Sequence, residues 1–154
     1  DALNILDGRW TSLRDVKSDV MITPHLGEFR RLFSVEKNNS VKIYDDLHDW
    51  QKKLDHTILL KGVPTCIAGK SHIYVTQTGN PGMAKAGSGD VLTGIIAGLI
   101  AQGLGTESAG FCGAYIHGLA ADIAVKDKTE YGHLAGDIIE SIPDALRRIT
   151  SCNS

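Results

Sequence analysis

A glycine-rich segment, residues 78–94, runs directly into an apolar helical pattern and carries an aspartate where that helix should begin. Gly87 and Gly89 permit positive φ angles and let a ligand approach the backbone closely. N–H groups at the start of a helix bind anions, because they lack helical partners and the helix dipole is positive at this end. Residues 87–90 are therefore predicted to form a phosphate-binding loop.

Asp90 is unexpected in such a loop, because a carboxylate repels phosphate. It could act as a general base that takes the proton of a hydroxyl attacking a terminal phosphoryl group, while backbone amides bind the developing charge. It could equally be a first-turn acid, which the helix dipole favours by about 0.3–1 kcal/mol, with Ser88 as the N-cap. The segment alone leaves both interpretations open. Its spacing matches neither the Walker sequence nor the G-x-G-x-x-G of dinucleotide-binding folds.

Polar residues also occur where two predicted strands end. One strand leads into a proline-started helix that carries His25 and Glu28, and a buried strand over residues 57–61 ends in Lys61-Gly62. Open α/β sheets bind ligands at the carboxyl ends of their strands, so Lys61 could neutralise a nucleotide phosphate. It could also be an exposed strand-end lysine before a turn glycine. His25 and Glu28 could likewise be ordinary residues of a helix start.

Taken together, these segments resemble the ADP- or ATP-dependent NAD(P)H-hydrate dehydratases, which belong to the ribokinase-like superfamily. The resemblance rests on Thr-Pro-His-x-Gly-Glu at residues 23–28 and on Asn-Pro-Gly-Met-Ala-x-x-Gly-x-Gly-Asp at residues 80–90. It extends over most of the chain. It implies a ribokinase-like α/β fold and the nucleotide-dependent dehydration of hydrated NADH or NADPH, with ADP or ATP and Mg²⁺ as cofactors.

The resemblance also implies roles for individual residues. Asp90 would be the catalytic base and a substrate contact, His25 would face the hydrated dinucleotide, and Glu28 would organise hydrated Mg²⁺ through water. Lys85 and Ala86 stand where many relatives carry threonine and glycine, and Lys85 could either strengthen nucleotide binding or point into solvent. The implied nucleotide contacts are Lys61, Gly62, Val63, Pro64, Thr65, Asn80, Ala86, Gly87, Ser88 and Gly89.

The mechanism that the resemblance implies is phosphorylation followed by elimination. Asp90 takes the proton of the C6 hydroxyl, and this oxygen attacks the terminal phosphate of the nucleotide. The resulting phosphate ester leaves more readily than hydroxide, with assistance from the ring nitrogen. Residues 78–84 are similar to bacterial members, which favours ADP over ATP. Two alternatives stay open, namely a ribokinase-like kinase of small alcohols or vitamins and a catalytically inactive nucleotide-binding fragment.

The length of 154 residues allows one sizeable core, but the dehydratase domain is considerably longer. Because the first residues resemble the middle of that domain, we expect residues 1–154 to be its C-terminal part, without the N-terminal half. Missing strands would leave an unpaired sheet edge, which proteins normally cover. We therefore expect a homo-oligomer, such as a tetramer, or association with the missing half. Many bacterial members also carry an upstream epimerase domain.

Composition and charge agree with a cytoplasmic enzyme. The formal net charge of −2 gives no electrostatic reason to expect nucleic acid or an anionic membrane as a partner. Three cysteines without C-x-x-C spacing are typical of reduced thiols. The longest apolar run, residues 95–101, is far shorter than the ~20 residues that cross a bilayer.

His117 is predicted to pack within an apolar helix. No metal-ligand spacing is visible among the remaining histidines His48, His56, His72 and His133.

The hydrophobic pattern predicts an α/β fold in which helices flank a largely parallel sheet. Strands are expected near residues 20–23, 57–61, 65–69 and 72–76, with a hairpin turn at Gly69-Lys70. Helices are expected near residues 25–34, 41–54, 89–102, 107–126 and 135–149, the last with a kink or restart at Pro143.

Overall fold

The first unit of the chain, Asp1–Val75, is organised around a four-stranded sheet. The computed structural model describes residues 2–6, 8–35 and 43–151. The strands lie side by side in chain order, as β1 (Met21–Ile22), β2 (Thr57–Leu60), β3 (Cys66–Ala68) and β4 (Ile73–Val75). β2 and β3 are buried along their whole length, as continuous runs of apolar residues usually are in the centre of a sheet.

The pairing in this sheet differs from the largely parallel arrangement expected. β1 pairs with β2 in parallel, whereas the β2–β3 and β3–β4 pairs are antiparallel. A parallel pair needs a crossover of a dozen or more residues, and the links at 61–65 and 69–72 are much shorter. The N–H of Gly69 donates to the carbonyl of His72 at 2.9 Å and closes the hairpin predicted at this turn.

Helices of the first unit bury their apolar faces together with the sheet. They are α1 (Ala2–Leu6), α2 (Thr11–Arg14), α3 (Leu26–Phe33) and α4 (Ile43–Leu54). The predicted beginning of α4 near residue 41 lies outside the described residues. Phe29 and Phe33 of α3 share a core with Leu47 and Leu54 of α4, and each such buried side chain stabilises the fold by about 1.5–3 kcal/mol. The sequence pattern missed α1 and α2, because four or five residues are too few to establish a helical period.

The second unit, Thr76–Ser154, contains the three predicted helices after a 3₁₀ turn at Pro81–Met83. They are α5 (Ser88–Ala101), α6 (Thr106–Gly132) and α7 (Ala135–Ser151). α6 runs past the predicted end at residue 126 and is interrupted by non-helical backbone at Thr129, with φ 62° and ψ 164°. α7 continues through Pro143 instead of restarting there. None of the helices in the described part of the chain is long and apolar enough to cross a membrane.

A glycine of α6 allows the segment before the 3₁₀ turn to lie directly on this helix. A Cβ added at Gly118 would lie 2.4 Å from Oγ1 of Thr78 and 2.6 Å from its carbonyl carbon. The Thr78 hydroxyl donates to the carbonyl of Tyr115, one helical turn away, at 3.0 Å. Any side chain at Gly118 would therefore push Thr78 away from α6.

One face of α5 is unusual because it is both apolar and exposed. Leu92 and Ile96 are buried, whereas Gly94, Ala97 and Gly98, which share the opposite face of the helix, are exposed. A Cβ added at Gly94 or Gly98 would meet nothing within 4 Å. A helix that is apolar on all sides is usually buried on all sides.

A crowded glycine and an open glycine give opposite expectations for the effect of a Gly→Ala substitution on stability. Gly118→Ala should destabilise the chain by about 1–3 kcal/mol, because the new methyl group overlaps the Thr78 backbone. Gly136→Ala in α7 is the matched control, and it should stabilise by about 0.4–1 kcal/mol because a Cβ there meets nothing within 4 Å and alanine favours the helix. Urea unfolding of both variants measures the difference. Equal effects would contradict the close approach of Thr78 to α6.

Candidate functional site

His25 and Glu28 form a capping box at the start of α3. The N–H of Glu28 donates to Nδ1 of His25 at 3.1 Å, and the N–H of His25 donates to Oε2 of Glu28 at 2.7 Å. Histidine is not among the residues preferred at an N-cap, and here its ring nitrogen takes the place of the usual side-chain oxygen. Because Nδ1 accepts a hydrogen bond, the neutral ring carries its proton on Nε2. The ring is largely exposed.

Lys61 meets this capping box where β1 and β2 end. Its N–H donates to the carbonyl of Pro24 at 2.8 Å, which continues the parallel pairing of the two strands. Its Nζ lies 3.7 Å from Oε2 of Glu28. Burial acts to raise the pKa of Glu28, but the His25 N–H and the Lys61 charge outweigh it and hold this pKa below the ordinary value of 4.5. Three predicted site residues, His25, Glu28 and Lys61, are thus brought together, with Glu28 ionised at neutral pH.

The residues after Lys61 form an exposed loop between β2 and β3. Gly62, Val63 and Pro64 are exposed, and the Val63–Pro64 peptide bond is cis. The hydroxyl of Thr65 donates to the carbonyl of Gly62 at 2.8 Å and closes the loop on itself. The backbone of this loop is accessible to a ligand.

In the second unit, a carboxylate of α6 holds the beginning of the glycine-rich segment. Oδ2 of Asp122 accepts the N–H of Gly79 at 2.9 Å, and Oδ1 accepts Nδ2 of Asn80 at 2.9 Å. Oδ1 of Asn80 in turn accepts the N–H of Gly82 at 3.1 Å. The side chain of Asn80, predicted to contact the nucleotide, is therefore engaged within the protein through both of its polar atoms.

Gly87, not Ser88, is the N-cap of α5. Gly87 adopts a left-handed conformation, with φ 85° and ψ −20°, which glycine reaches without steric cost. Its carbonyl accepts the N–H groups of Asp90 and Val91, both at 3.1 Å. Within the described residues the N–H groups of Gly87 and Gly89 donate to no acceptor. Two amides at the positive end of a helix dipole are thus available to an anion.

Asp90 occupies the first turn of α5 with its side chain exposed. In the parts of the chain that the structure describes, its carboxylate forms neither a hydrogen bond nor an ion pair. A carboxylate that caps a helix accepts a backbone N–H, and this one does not. Asp90 is therefore available to a substrate, three residues after the left-handed glycine.

The later part of the glycine-rich segment is attached to α6 at two places. Ser88 contacts the middle of this helix, and Lys85 contacts its C-terminal end. Nζ of Lys85 donates to the carbonyls of Glu130 and His133, so the ammonium does not point freely into solvent. This position suits a cation, because the carbonyl end of a helix is negative. Oγ of Ser88 lies 3.3 Å from Nε2 of His117, and both side chains are buried.

His117 is packed inside α6, as predicted. Burial lowers its pKa to about 4, although the Ser88 hydrogen bond acts in the opposite direction. The ring is therefore neutral at pH 7 and can take part in the hydrogen bond with Ser88 without a buried charge.

Sequence reasoning missed Asp122 altogether. Its partners Gly79 and Asn80 lie 43 and 42 residues away in the sequence, and no local pattern reports such a contact. The available signal is a single acid in the middle of an Ala- and Gly-rich helical stretch, where a charge is costly unless its oxygens are hydrogen-bonded.

Comparison with known sequences finds the chain among dehydratases of hydrated nicotinamide dinucleotides. The sequence profile described as NAD(P)H-hydrate dehydratase matches residues 1–144. The chain is 42% identical to the bifunctional NAD(P)H-hydrate repair enzyme of Moorella thermoacetica, over 97% of this chain and 28% of that protein. It is 38% identical to the ADP-dependent (S)-NAD(P)H-hydrate dehydratase of Neisseria meningitidis, over 97% of this chain and 52% of that protein.

A solved structure gives the same result at the level of the fold. The ADP/ATP-dependent NAD(P)H-hydrate dehydratase of Bacillus subtilis, co-crystallised with ATP and Mg²⁺, matches with a TM-score of 0.79 and 32% identity. The match covers 84% of this chain and 48% of that one. The ribokinase-like α/β fold expected from the sequence is confirmed. The chain spans between about a quarter and a half of the length of these relatives.

The buried His117 predicts a pH-dependent stability. Its pKa is about 4 in the folded chain and 6.5 ordinarily, so the unfolded chain binds the proton more readily between these values. The chain should therefore lose about 3 kcal/mol of stability, relative to His117→Gln, as the pH falls from 7 to 4. Urea unfolding across this pH range measures the difference, and His72→Gln is the control at an exposed histidine. A difference that does not vary with pH would contradict a neutral, buried His117.

Proposed function

This chain belongs to the NAD(P)H-hydrate dehydratase family, and we propose that it carries the nucleotide-binding and catalytic part of an enzyme that restores NADH or NADPH from its hydrate. The observation that carries this proposal is the start of α5. Asp90 is an exposed carboxylate that has no partner among the described residues, and it follows closely on Gly87 and Gly89, whose amides donate to no acceptor there. A base next to an anion site is what phosphoryl transfer to a hydroxyl requires.

The phosphates of ADP or ATP would bind the N-terminus of α5. Gly87 and Gly89 would donate their backbone N–H groups, and the exposed Ala86 and the half-buried Gly89, which lacks a side chain, would allow close approach. Ser88 would contribute through its backbone alone, because its hydroxyl is turned toward His117. The relative from Neisseria meningitidis is named as ADP-dependent, and we propose ADP as the preferred nucleotide of this chain.

Asp90 would act as the general base. Its carboxylate takes the proton of the C6 hydroxyl as this oxygen forms a bond to the terminal phosphorus of the nucleotide, and AMP leaves when ADP is the donor. The C6–O bond then breaks, and phosphate departs with the bonding electrons. The lone pair of the ring nitrogen assists, and loss of a proton from C5 restores the dihydronicotinamide. Free backbone amides stabilise the charge that develops on the transferred group.

The first unit would supply contacts to the nucleotide and the dinucleotide. The exposed Nε2–H of His25 is a hydrogen-bond donor suited to a polar group of the hydrated dinucleotide. Lys61 is a cation suited to phosphate. The accessible backbone of the loop after it, Gly62, Val63, Pro64 and Thr65, is proposed to contact the nucleotide.

Glu28 fits a hydrated Mg²⁺ better than a directly bound ion. Its Oε2 already accepts the His25 N–H and lies near the ammonium of Lys61. Across residues 2–6, 8–35 and 43–151, no three His, Cys, Asp or Glu side chains form a group that could hold a metal. Mg²⁺ keeps several of its waters and uses few carboxylates, so Glu28 would hold it through water. When bound, the ion would neutralise charge on the phosphates.

The exposed apolar face of α5 supports a proposal about partners. Glycine and alanine at positions 94, 97 and 98 would let another backbone approach this helix closely. We propose that this face is covered, either by further copies of the chain in a homo-oligomer or by the remaining half of the dehydratase domain. The reaction draws on ADP and on reduced dinucleotides, and we propose the cytoplasm as its compartment.

Asp90→Asn tests the proposed mechanism. The reference protein is a fusion of the chain to the part of the Neisseria meningitidis dehydratase that it does not match, which is about half of that protein. Asp90→Asn should lower dehydration of hydrated NADH by about 10²–10⁴-fold, because the base is lost. ADP affinity should stay unchanged or improve, because a negative charge near phosphate is removed. Absorbance at the dihydronicotinamide band and calorimetry with ADP provide the two readouts.

Asp127→Asn is the matched control, because it removes a carboxylate at an exposed position of α6. It should leave both turnover and affinity unchanged. Near-normal turnover in Asp90→Asn would contradict the assignment of the base. Turnover with hydroxymethylpyrimidine, pyridoxal or hydroxyethylthiazole, but not with hydrated NADH, would favour a small-alcohol or vitamin kinase instead.

A further inference from the structure

We propose that Asp122 is a positioning residue that holds the glycine-rich segment in the conformation that binds nucleotide, an inference that rests on the proposed function. Asp122 lies on α6, away from the motif residues in the sequence, and its carboxylate accepts two donors from the segment. Oδ2 takes the N–H of Gly79 and Oδ1 takes Nδ2 of Asn80, both at 2.9 Å. Hydrogen bonds to a charged acceptor are stronger than those between neutral groups.

The hydrogen bonds of Asp122 also affect Gly82, which Asp122 does not touch. Because Nδ2 of Asn80 is directed at Asp122, the other end of this amide, Oδ1, is directed at the N–H of Gly82. Asp122 therefore determines the orientation of the Asn80 side chain, and Asn80 caps the 3₁₀ turn at Pro81–Met83. An amide turned the other way would present a donor to another donor at Gly82.

The face of α6 that carries Asp122 is shaped for this segment. Tyr115, Gly118 and Asp122 are spaced by three and four residues and so lie along one side of the helix. The carbonyl of Tyr115 accepts the Thr78 hydroxyl, and Gly118 leaves room for the Thr78 backbone. These contacts fix residues 78–82, and Gly87 and Gly89 follow five and seven residues later in the chain. A loop already held in its binding conformation loses less entropy when a ligand binds.

Asp122→Ala tests this role, with Asp127→Ala as the matched control on the same helix. Amide hydrogen exchange in the nucleotide-free chain is the first readout. Exchange of the Gly82 N–H should accelerate by about tenfold or more in Asp122→Ala, although this N–H does not touch Asp122, and it should not change in Asp127→Ala. ADP affinity by calorimetry is the second readout, and it should fall about tenfold in Asp122→Ala alone.

A reversed pair separates the hydrogen bonds from general loss of stability. Asp122→Asn alone offers one acceptor oxygen to two donors, and where this oxygen accepts the Gly79 N–H, its NH₂ group faces the NH₂ of Asn80. Gly82 exchange should therefore accelerate. Combining Asp122→Asn with Asn80→Asp restores all three bonds, because the carboxylate at position 80 accepts both the amide of position 122 and the Gly82 N–H. Protection of Gly82 should return in this double variant, and the single variant also provides a folded reference should Asp122→Ala fail to fold.

Three results would overturn the proposal. These are unchanged Gly82 exchange in Asp122→Ala, failure of the reversed pair to restore protection, and loosened exchange with ADP affinity equal to that of the control. Failure of the proposed function would look different. The unsubstituted protein would then fail to dehydrate hydrated NADH, and the exchange measurements would still decide whether Asp122 holds the segment.

Discussion

The conformation of the glycine-rich segment depends on one constraint, the attachment of residues 78–82 to a single face of α6. Glycines alone would leave such a segment with many conformations, because each of them permits more backbone angles than other residues. The Asp122 carboxylate, the Tyr115 carbonyl and the missing side chain of Gly118 select one of these conformations. The same helix also anchors the start of α5 through His117 and Ser88. The amides proposed to bind phosphate are thus positioned by a helix that need not touch the nucleotide.

The first unit uses a different constraint, an ion pair combined with a helix cap at the ends of two parallel strands. Continued pairing of the strands brings Lys61 beside His25, and the capping box turns Glu28 toward both. Each of these three residues has an ordinary structural explanation as a cap or an ion-pair partner. The His25 ring stays largely exposed although its Nε2 lies 3.6 Å from Oε2 of Glu28, and Glu28 is the one ion-pair partner of Lys61 among the described residues. A structural role and the proposed binding roles are therefore compatible.

The sequence was informative where local rules apply and silent where contacts are distant. Gly87 and Gly89 predicted a helix start with accessible amides, and α5 begins within one residue of the predicted position. The rule that favours serine at an N-cap failed at Ser88, because the left-handed Gly87 takes that place. The sheet was expected to be largely parallel from the class of fold, yet the short links after β2 and β3 allow antiparallel pairing alone. Asp122 gave no local signal, since its partners lie about forty residues away.

The central claim is that the amides at the start of α5 bind the nucleotide phosphates, and NMR of the backbone amides during an ADP titration tests it most directly. The N–H resonances of Gly87 and Gly89 should shift strongly and become protected from exchange as ADP binds. The N–H of Gly79 should stay protected throughout, because Asp122 already holds it. Saturable binding of ADP that leaves Gly87 and Gly89 unshifted and unprotected would contradict the account.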